Sequence, residues 1–184
     1  MTRNRLLPMG VRTAPTMWRR ALSTSSVSQA PRVVPNRGAY KCWVDIQTRW
    51  SDQDAFGHVT NSVFYSYFDT AITHVLIRRF NMMIGQTPTH ALPAIPFVVA
   101  SSCNYHRQIS HPSVINAGVS ISKLGNSSVT YQIGIFTSDG DRDSAAASGT
   151  LVHVFVDRDS HRPIPLPADL RQDLSEILVA APAS

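Results

Sequence analysis

RWSDQDAFGHVTNSVFYSYFD, residues Arg49 to Asp69, is the stretch on which the reading of this chain turns. Two aspartates two positions apart, a Gly57-His58 pair and Asn61 stand directly ahead of an amphipathic segment. From Asn61 to about Phe80, the residues Phe64, Tyr67, Phe68, Ala71, Ile72, Val75 and Leu76 recur at helical spacing and form one broad apolar stripe. The spacing predicts a long buried helix, capped at Thr60 or Asn61 and ended by Asn81 with Gly85. Asp54 then lies in the loop before the helix, within reach of the free N–H groups of its first turn. Such a helix end carries about half a positive charge and can receive a developing oxyanion. A carboxylate beside it is the minimum equipment for attack on a carbonyl.

Outward from this stretch the period changes. Val44, Ile46, Thr48 and Trp50 alternate with Trp43, Asp45, Gln47 and Arg49, which reads as a first strand from Tyr40 onward. Four more strands are expected at about 97–107, 114–123, 128–138 and 145–156, with Leu124-Gly125-Asn126 and Asp139-Gly140 as hairpin turns. Leu151, Val152, Val154 and Val156 make the last strand apolar on both faces, as a central strand requires. Residues 82–96 carry three prolines and read as a loop with one irregular helical turn. Pro163, Pro165 and Pro167 stop the sheet, and a short helix over about 168–178 closes the chain. One strand, one long helix and four antiparallel strands make an α+β unit.

The formal charge of +5 is unevenly placed. Residues 1–44 hold seven Arg and one Lys with no acid, which leaves nine basic and twelve acidic residues beyond them, a net of −3. The folded body is therefore acidic, and nucleic-acid binding loses its support. The Arg- and Ser-rich leader has the composition of a mitochondrial transit peptide, so residues 1–38 are expected to be transit peptide and linker, and the protein to act in the mitochondrial matrix. No stretch reaches the ~18 apolar residues of a membrane span. Cys42 and Cys103, far apart, suit a reducing compartment and give neither a disulfide framework nor a metal cluster.

The Arg49–Asn61 stretch resembles the hot-dog fold thioesterases of the 4-hydroxybenzoyl-CoA thioesterase type, which read roughly R-W-x-D-x-D-x-x-G-H-V-N-N before a long helix. Arg49, Trp50, Asp52, Asp54, Gly57, His58, Val59 and Asn61 match that pattern, and Thr60 departs from it. Two further blocks look like the same family in the same order: Lys123-Leu-Gly-Asn-Ser-Ser-Val129, and Val156-Asp-Arg-Asp-Ser-His-Arg-Pro163 followed by Pro165-Leu-Pro167. The resemblance spans roughly residues 40–178. It implies a hot-dog domain over 39–184, with a five-stranded antiparallel sheet wrapped around one long helix. It also implies an acyl-CoA thioesterase that releases free acid and CoA, with no cofactor beyond the CoA of its substrate. A homodimer or homotetramer with the active site between subunits is implied as well.

Carried over residue by residue, the resemblance makes Asp54, the second aspartate, the general base or nucleophile. A thiolate with a pKa near 8.5 leaves without much help from an acid, so one carboxylate and an oxyanion site suffice. His58 orients the loop, touches substrate or only hydrogen-bonds backbone, and the first-turn amides near Asn61 are the expected oxyanion donors. Asp69, where relatives often carry Glu, is expected beside the buried stripe, either as a residue at the acyl group or as a satisfied structural acid. Arg107, Lys123, Ser127 and Ser128 are the candidates for the CoA phosphates, although Arg107-Gln-Ile-Ser-His-Pro-Ser113 keeps only the arginine of the relatives' R-P-x-x-x-G-D. Asp52 is expected to order the loop, by an Asx turn or by pairing with Arg49, and Gly57 to supply positive φ or close ligand approach.

Other classes fit less well. No G-x-S-x-G, P-loop or H-E-x-x-H occurs, which sets aside the serine-hydrolase, nucleotide and zinc-protease readings. Asp52, Asp54 and His58 lack the further ligands of a metal site. A hot-dog hydratase or dehydratase would need a His–acid pair at the substrate's carbons, which Asp54 and His58 match loosely. A non-catalytic acyl-CoA-binding or assembly subunit would have no need of Asp54-x-x-Gly57-His58.

Overall fold

In the computed structural model, residues 33–80, 94–138 and 142–179 are described. Five strands form one sheet in the order β1-β3-β4-β5-β2, every neighbouring pair antiparallel. They are β1 (Cys42–Gln47), β2 (Ala94–Tyr105), β3 (Val114–Leu124), β4 (Ser128–Thr137) and β5 (Ala147–Asp157). The long helix α1 (Val63–Phe80) lies against the inner face, and a short helix α2 (Ala168–Ser175) follows the last strand. This is the α+β, hot-dog arrangement expected from the sequence.

The helix sits where it does because its apolar stripe has only the sheet to bury against. Phe64, Tyr67, Phe68, Ala71, Ile72, Val75 and Leu76 are all buried, in one core with Val119 and Ile121 of β3, Ile133 and Ile135 of β4, and Phe155 of β5. Each large side chain so buried contributes roughly 1.5–3 kcal/mol. Alternation along β4 and β5 follows the same rule, with odd positions from Val129 to Ile135 and from Leu151 to Phe155 on the helix side.

Several expectations are corrected at the element ends. The first strand stops at Gln47, and Trp50 is in a short 3-10 turn with its ring exposed. The helix begins at Val63, after a turn at Asn61 and Ser62. Residues 94–96, expected in a loop, begin β2, and Pro96 is tolerated because β2 is a sheet edge. The final helix ends at Ser175, and beyond it the amide of Val179 and the carbonyl of Ile177 bond Ile121 of β3. The helix stop at Asn81 and Gly85, the irregular turn and the Asp139-Gly140 hairpin lie outside the described residues.

On the outer face, residues 35–40 run across the sheet. Asn36 bridges Ser144, and the Arg37 guanidinium lies 4.0 Å from the centre of the Trp43 ring. Tyr40 lays its ring in a trough made by Gly118 and Gly134, which are paired in register on β3 and β4. Phe136 and Trp43 meet the same ring edge-on at 5.7 and 6.0 Å. A Cβ at Gly134 would stand 2.5 Å from the end of the Tyr40 ring. Gly134→Ala is therefore expected to cost about 1–3 kcal/mol by expelling Tyr40. In a Tyr40→Ala background the same change should cost far less, and urea melts of the four proteins of that cycle check it.

Candidate active site

The loop from Gln53 to Val59 is closed by its own backbone. Gln53 and Val59 form an antiparallel bridge, the Asp54 amide donates to the His58 carbonyl at 2.8 Å, and the Gly57 amide to the Asp54 carbonyl at 3.1 Å. Gly57 adopts φ of 78°, the left-handed turn a glycine accommodates without strain, and no atom lies within 4 Å of a Cβ built there. Of the two reasons foreseen for this glycine, the positive φ is present.

Asp54 is exposed, and one of its oxygens, Oδ1, accepts from the amides of Phe56 at 2.8 Å and His58 at 3.3 Å. The other oxygen, Oδ2, has no bonding partner among the described residues. The carboxylate is thus anchored by one atom and presents the other. It faces a cleft of about 420 Å³ that His58, Asn61 and Phe64 also line, with Tyr105 and Arg107 opposite.

At the helix entrance the amide of Thr60 is used by the Asp52 carbonyl at 2.9 Å and that of Val63 by the Thr60 carbonyl at 2.9 Å. The amides of Asn61 and Ser62 have no partner among the described residues. The Asn61 carbonyl accepts from the Tyr105 hydroxyl at 3.1 Å, and the Tyr105 ring packs edge-on against Phe64 at 5.2 Å. Tyr105, which no motif marked, therefore fixes the turn that holds the open amides.

Asp52 points the other way. It is 1% exposed, and its carboxylate accepts from the Arg49 amide (2.7 Å), the Arg49 Nε (2.9 Å) and the Tyr67 hydroxyl (2.7 Å). Burial by itself would raise the Asp52 carboxyl, and the bonds from Arg49 and Tyr67 outweigh it and hold the group below its ordinary value. The two aspartates therefore divide their work, one building the loop and the other left at its surface. Among the described residues no group of three or more His, Cys, Asp or Glu side chains is placed to hold a metal.

The remaining candidates are dispersed. Asp69, expected beside the buried stripe, is exposed, because one step beyond Phe68 rotates it onto the helix flank. It lines a second cleft with Tyr65 and Thr70. Arg107 lies in the Asp54 cleft, with its guanidinium bonded to the Thr137 hydroxyl at 2.8 Å and the Ser144 carbonyl at 3.2 Å. Ser127 and Ser128 sit in the β3–β4 turn, closed by the Gly125 amide on the Ser128 carbonyl at 2.8 Å. Arg171 of α2 bonds the carbonyls of Gly125 and Asn126, so this turn is tied to the C-terminal helix and is not part of the Asp54 cleft.

Known proteins share the fold. Residues 48–174 match the family model of the thioesterase-like superfamily. The PA5185 protein from Pseudomonas aeruginosa strain PAO1 is 38% identical, with a TM-score of 0.72 over 81% of this chain and 99% of its own. The DHNA-CoA thioesterase from Staphylococcus aureus, 19% identical, shares the fold with a TM-score of 0.62 over 73% of this chain and 89% of its own. The uncharacterized protein YsmA of Bacillus subtilis (strain 168) is 24% identical over 119 residues, 65% of this chain and 75% of that protein.

Proposed function

Because the chain belongs to the thioesterase-like superfamily, we propose that it is an acyl-CoA thioesterase, with Asp54 as its reacting carboxylate. The observation that carries the reading is one cleft holding both the open Oδ2 of Asp54 and the turn whose Asn61 amide is unspent. Asp54 takes a proton from water as its oxygen attacks the thioester carbon, or attacks that carbon itself to form an anhydride that water then opens. Either route uses the same oxygen. The carbonyl oxygen gains negative charge in the tetrahedral intermediate, and the unbonded Asn61 amide is the donor we assign to it, a contribution worth about 3–4 kcal/mol in comparable sites. The C–S bond then breaks, the electron pair leaves on sulfur, and the products are a free acid and CoA. His58, beside Asp54 in the cleft, contacts the substrate.

Release of free thiol from short, medium, long and aromatic acyl-CoAs tests the reading. Turnover of at least one ester is expected, and none across the panel would overturn it. The Arg-rich leader supports action in the mitochondrial matrix, and organellar import of the full chain, lost when residues 1–32 are removed, checks that assignment.

The working unit we infer is a homodimer or homotetramer. β2 is a twelve-residue strand at the sheet edge, and it exposes Phe97, Val98 and Val99. A long apolar edge is a template for pairing with another copy. Light scattering is expected to give the mass of two or four chains, and a monomer at micromolar concentration would refute the inference.

A further inference from the structure

Apart from the main core the domain has a second, smaller one on the outer face of the sheet. It is made of Tyr40, Phe136 and Ala145, with Ala39 packed against it. Tyr40 and Ala39 stand ahead of β1, in a strap over residues 35–40, so part of this core is supplied from upstream of the first strand.

The strap is bonded along its length. The Ala145 amide donates to the Pro35 carbonyl at 3.1 Å, Asn36 bridges Ser144, and the Arg37 amide donates to the Asp143 carbonyl at 3.2 Å. The chain then turns through Arg37–Ala39 and rejoins the sheet, where the Lys41 amide donates to the Val119 carbonyl at 3.2 Å. Side chains hold it as well. The Arg37 guanidinium lies over the Trp43 ring and bonds the Asn116 side chain, and Tyr40 fills the trough between Gly118 and Gly134.

This attachment has a sharp upstream edge. Val33 is 87% exposed and Val34 39%, and neither makes a backbone hydrogen bond among the described residues. Chains are nicked where the backbone is neither buried nor bonded. Pro35, the first bonded residue, also lacks the N–H that an extended substrate gives a protease. Cutting beyond it requires the links at Pro35, Asn36 and Arg37 to open and Tyr40 to leave its trough, a local unfolding that the rest of the domain opposes.

We propose that the segment just ahead of Pro35 is a proteolytic processing site, at which the leader is removed while the mature protein keeps the strap. One peptide C–N bond breaks. Water supplies the hydroxyl of the leader's new carboxyl group and a proton to the new amino terminus. The inference rests on the leader reading for the need to cut, and on the strap alone for where cutting stops.

The full chain, treated with a broad-specificity serine protease under native conditions, tests the boundary, with the product's N-terminus read from its intact mass. The resistant product is expected to have lost the leader and to begin no later than Pro35. In Tyr40→Ala, cutting is expected to run on to Lys41 or beyond while the rest of the domain survives. Arg37→Ala, a milder change, should shift the boundary the same way and keeps the test open if Tyr40→Ala unfolds. The proposal is overturned by a parent product that begins beyond Lys41, by a parent whose leader resists the protease, or by an unmoved boundary in both variants. Protein recovered from cells expressing the full chain should likewise begin downstream of Met1 and no later than Pro35. If it keeps Met1 while the protease still stops at the strap, the boundary stands and the leader reading is what fails.

Discussion

Asp54→Asn is expected to lower kcat a hundredfold or more on every thioester the protein cleaves, without changing its stability. The asparagine carbonyl can still accept from the amides of Phe56 and His58, so the loop keeps the two bonds that shape it. What disappears is the charged Oδ2, the group proposed to take a proton from water or to attack carbon. General-base catalysis is worth about 10²–10⁴-fold, which sets the size of the loss. Because Asp54 is exposed and its charge is in no ion pair among the described residues, the unfolding free energy should move by no more than about 0.5 kcal/mol. Thiol release and urea unfolding, run on both proteins, give the two numbers needed. Equal turnover would acquit Asp54 and direct attention to Asp69, the other exposed acid at the α1–β2 groove. No turnover by the parent, with acyl-CoA still bound, would leave a binding protein on a thioesterase fold.

The long helix and the sheet were legible because periodicity is a local signal. All seven residues of the stripe from Phe64 to Leu76 are buried, and each of the last four strands was foreseen within three residues of its ends. What escaped was set by pairs distant in sequence. Tyr67 reaches Asp52 across fifteen positions, and Tyr105 reaches Asn61 across forty-four. No spacing rule links a strand end to a loop before a helix, so Tyr105 carried no mark. Asp69 shows the opposite failure. Its neighbours Phe68, Ala71 and Ile72 are buried, but a helix turns about 100° per residue, and the acid falls just outside the stripe its neighbours define. Tyr131 and His153 read from sequence as ordinary strand positions, and only burial without a partner distinguishes them.

Asp52→Ala should damage the fold and should reduce activity as well. The substitution leaves the buried Tyr67 hydroxyl and the Arg49 amide without their acceptor. Breaking a buried ion pair costs about 3–5 kcal/mol, and the lower end applies here because the Arg49 side chain is 68% exposed and returns to water. A loss of about 3 kcal/mol is therefore expected at pH 7, against about 1.5 kcal/mol for Tyr67→Phe, which keeps the Arg49 pair. The dependence on pH has a definite sign. The Asp52 carboxyl titrates below its ordinary value in the folded state, so its contribution is complete above an unfolded pKa of about 3.9 and fades as pH falls through the folded one. Urea unfolding at pH 7 and again at pH 3 should show the gap between parent and Asp52→Ala narrowing in acid. A gap that stays constant would mean that the cavity, and not the lost charge, destabilises the variant. Activity should fall with stability for a geometric reason. The Asp52 side chain holds Tyr67 on the helix and its carbonyl holds the Thr60 amide, so this residue sets where the Asp54 loop stands relative to the open amides of Asn61 and Ser62. A catalytic loss that persists at low temperature, where Asp52→Ala is still fully folded, is the result that would separate this positioning role from simple unfolding.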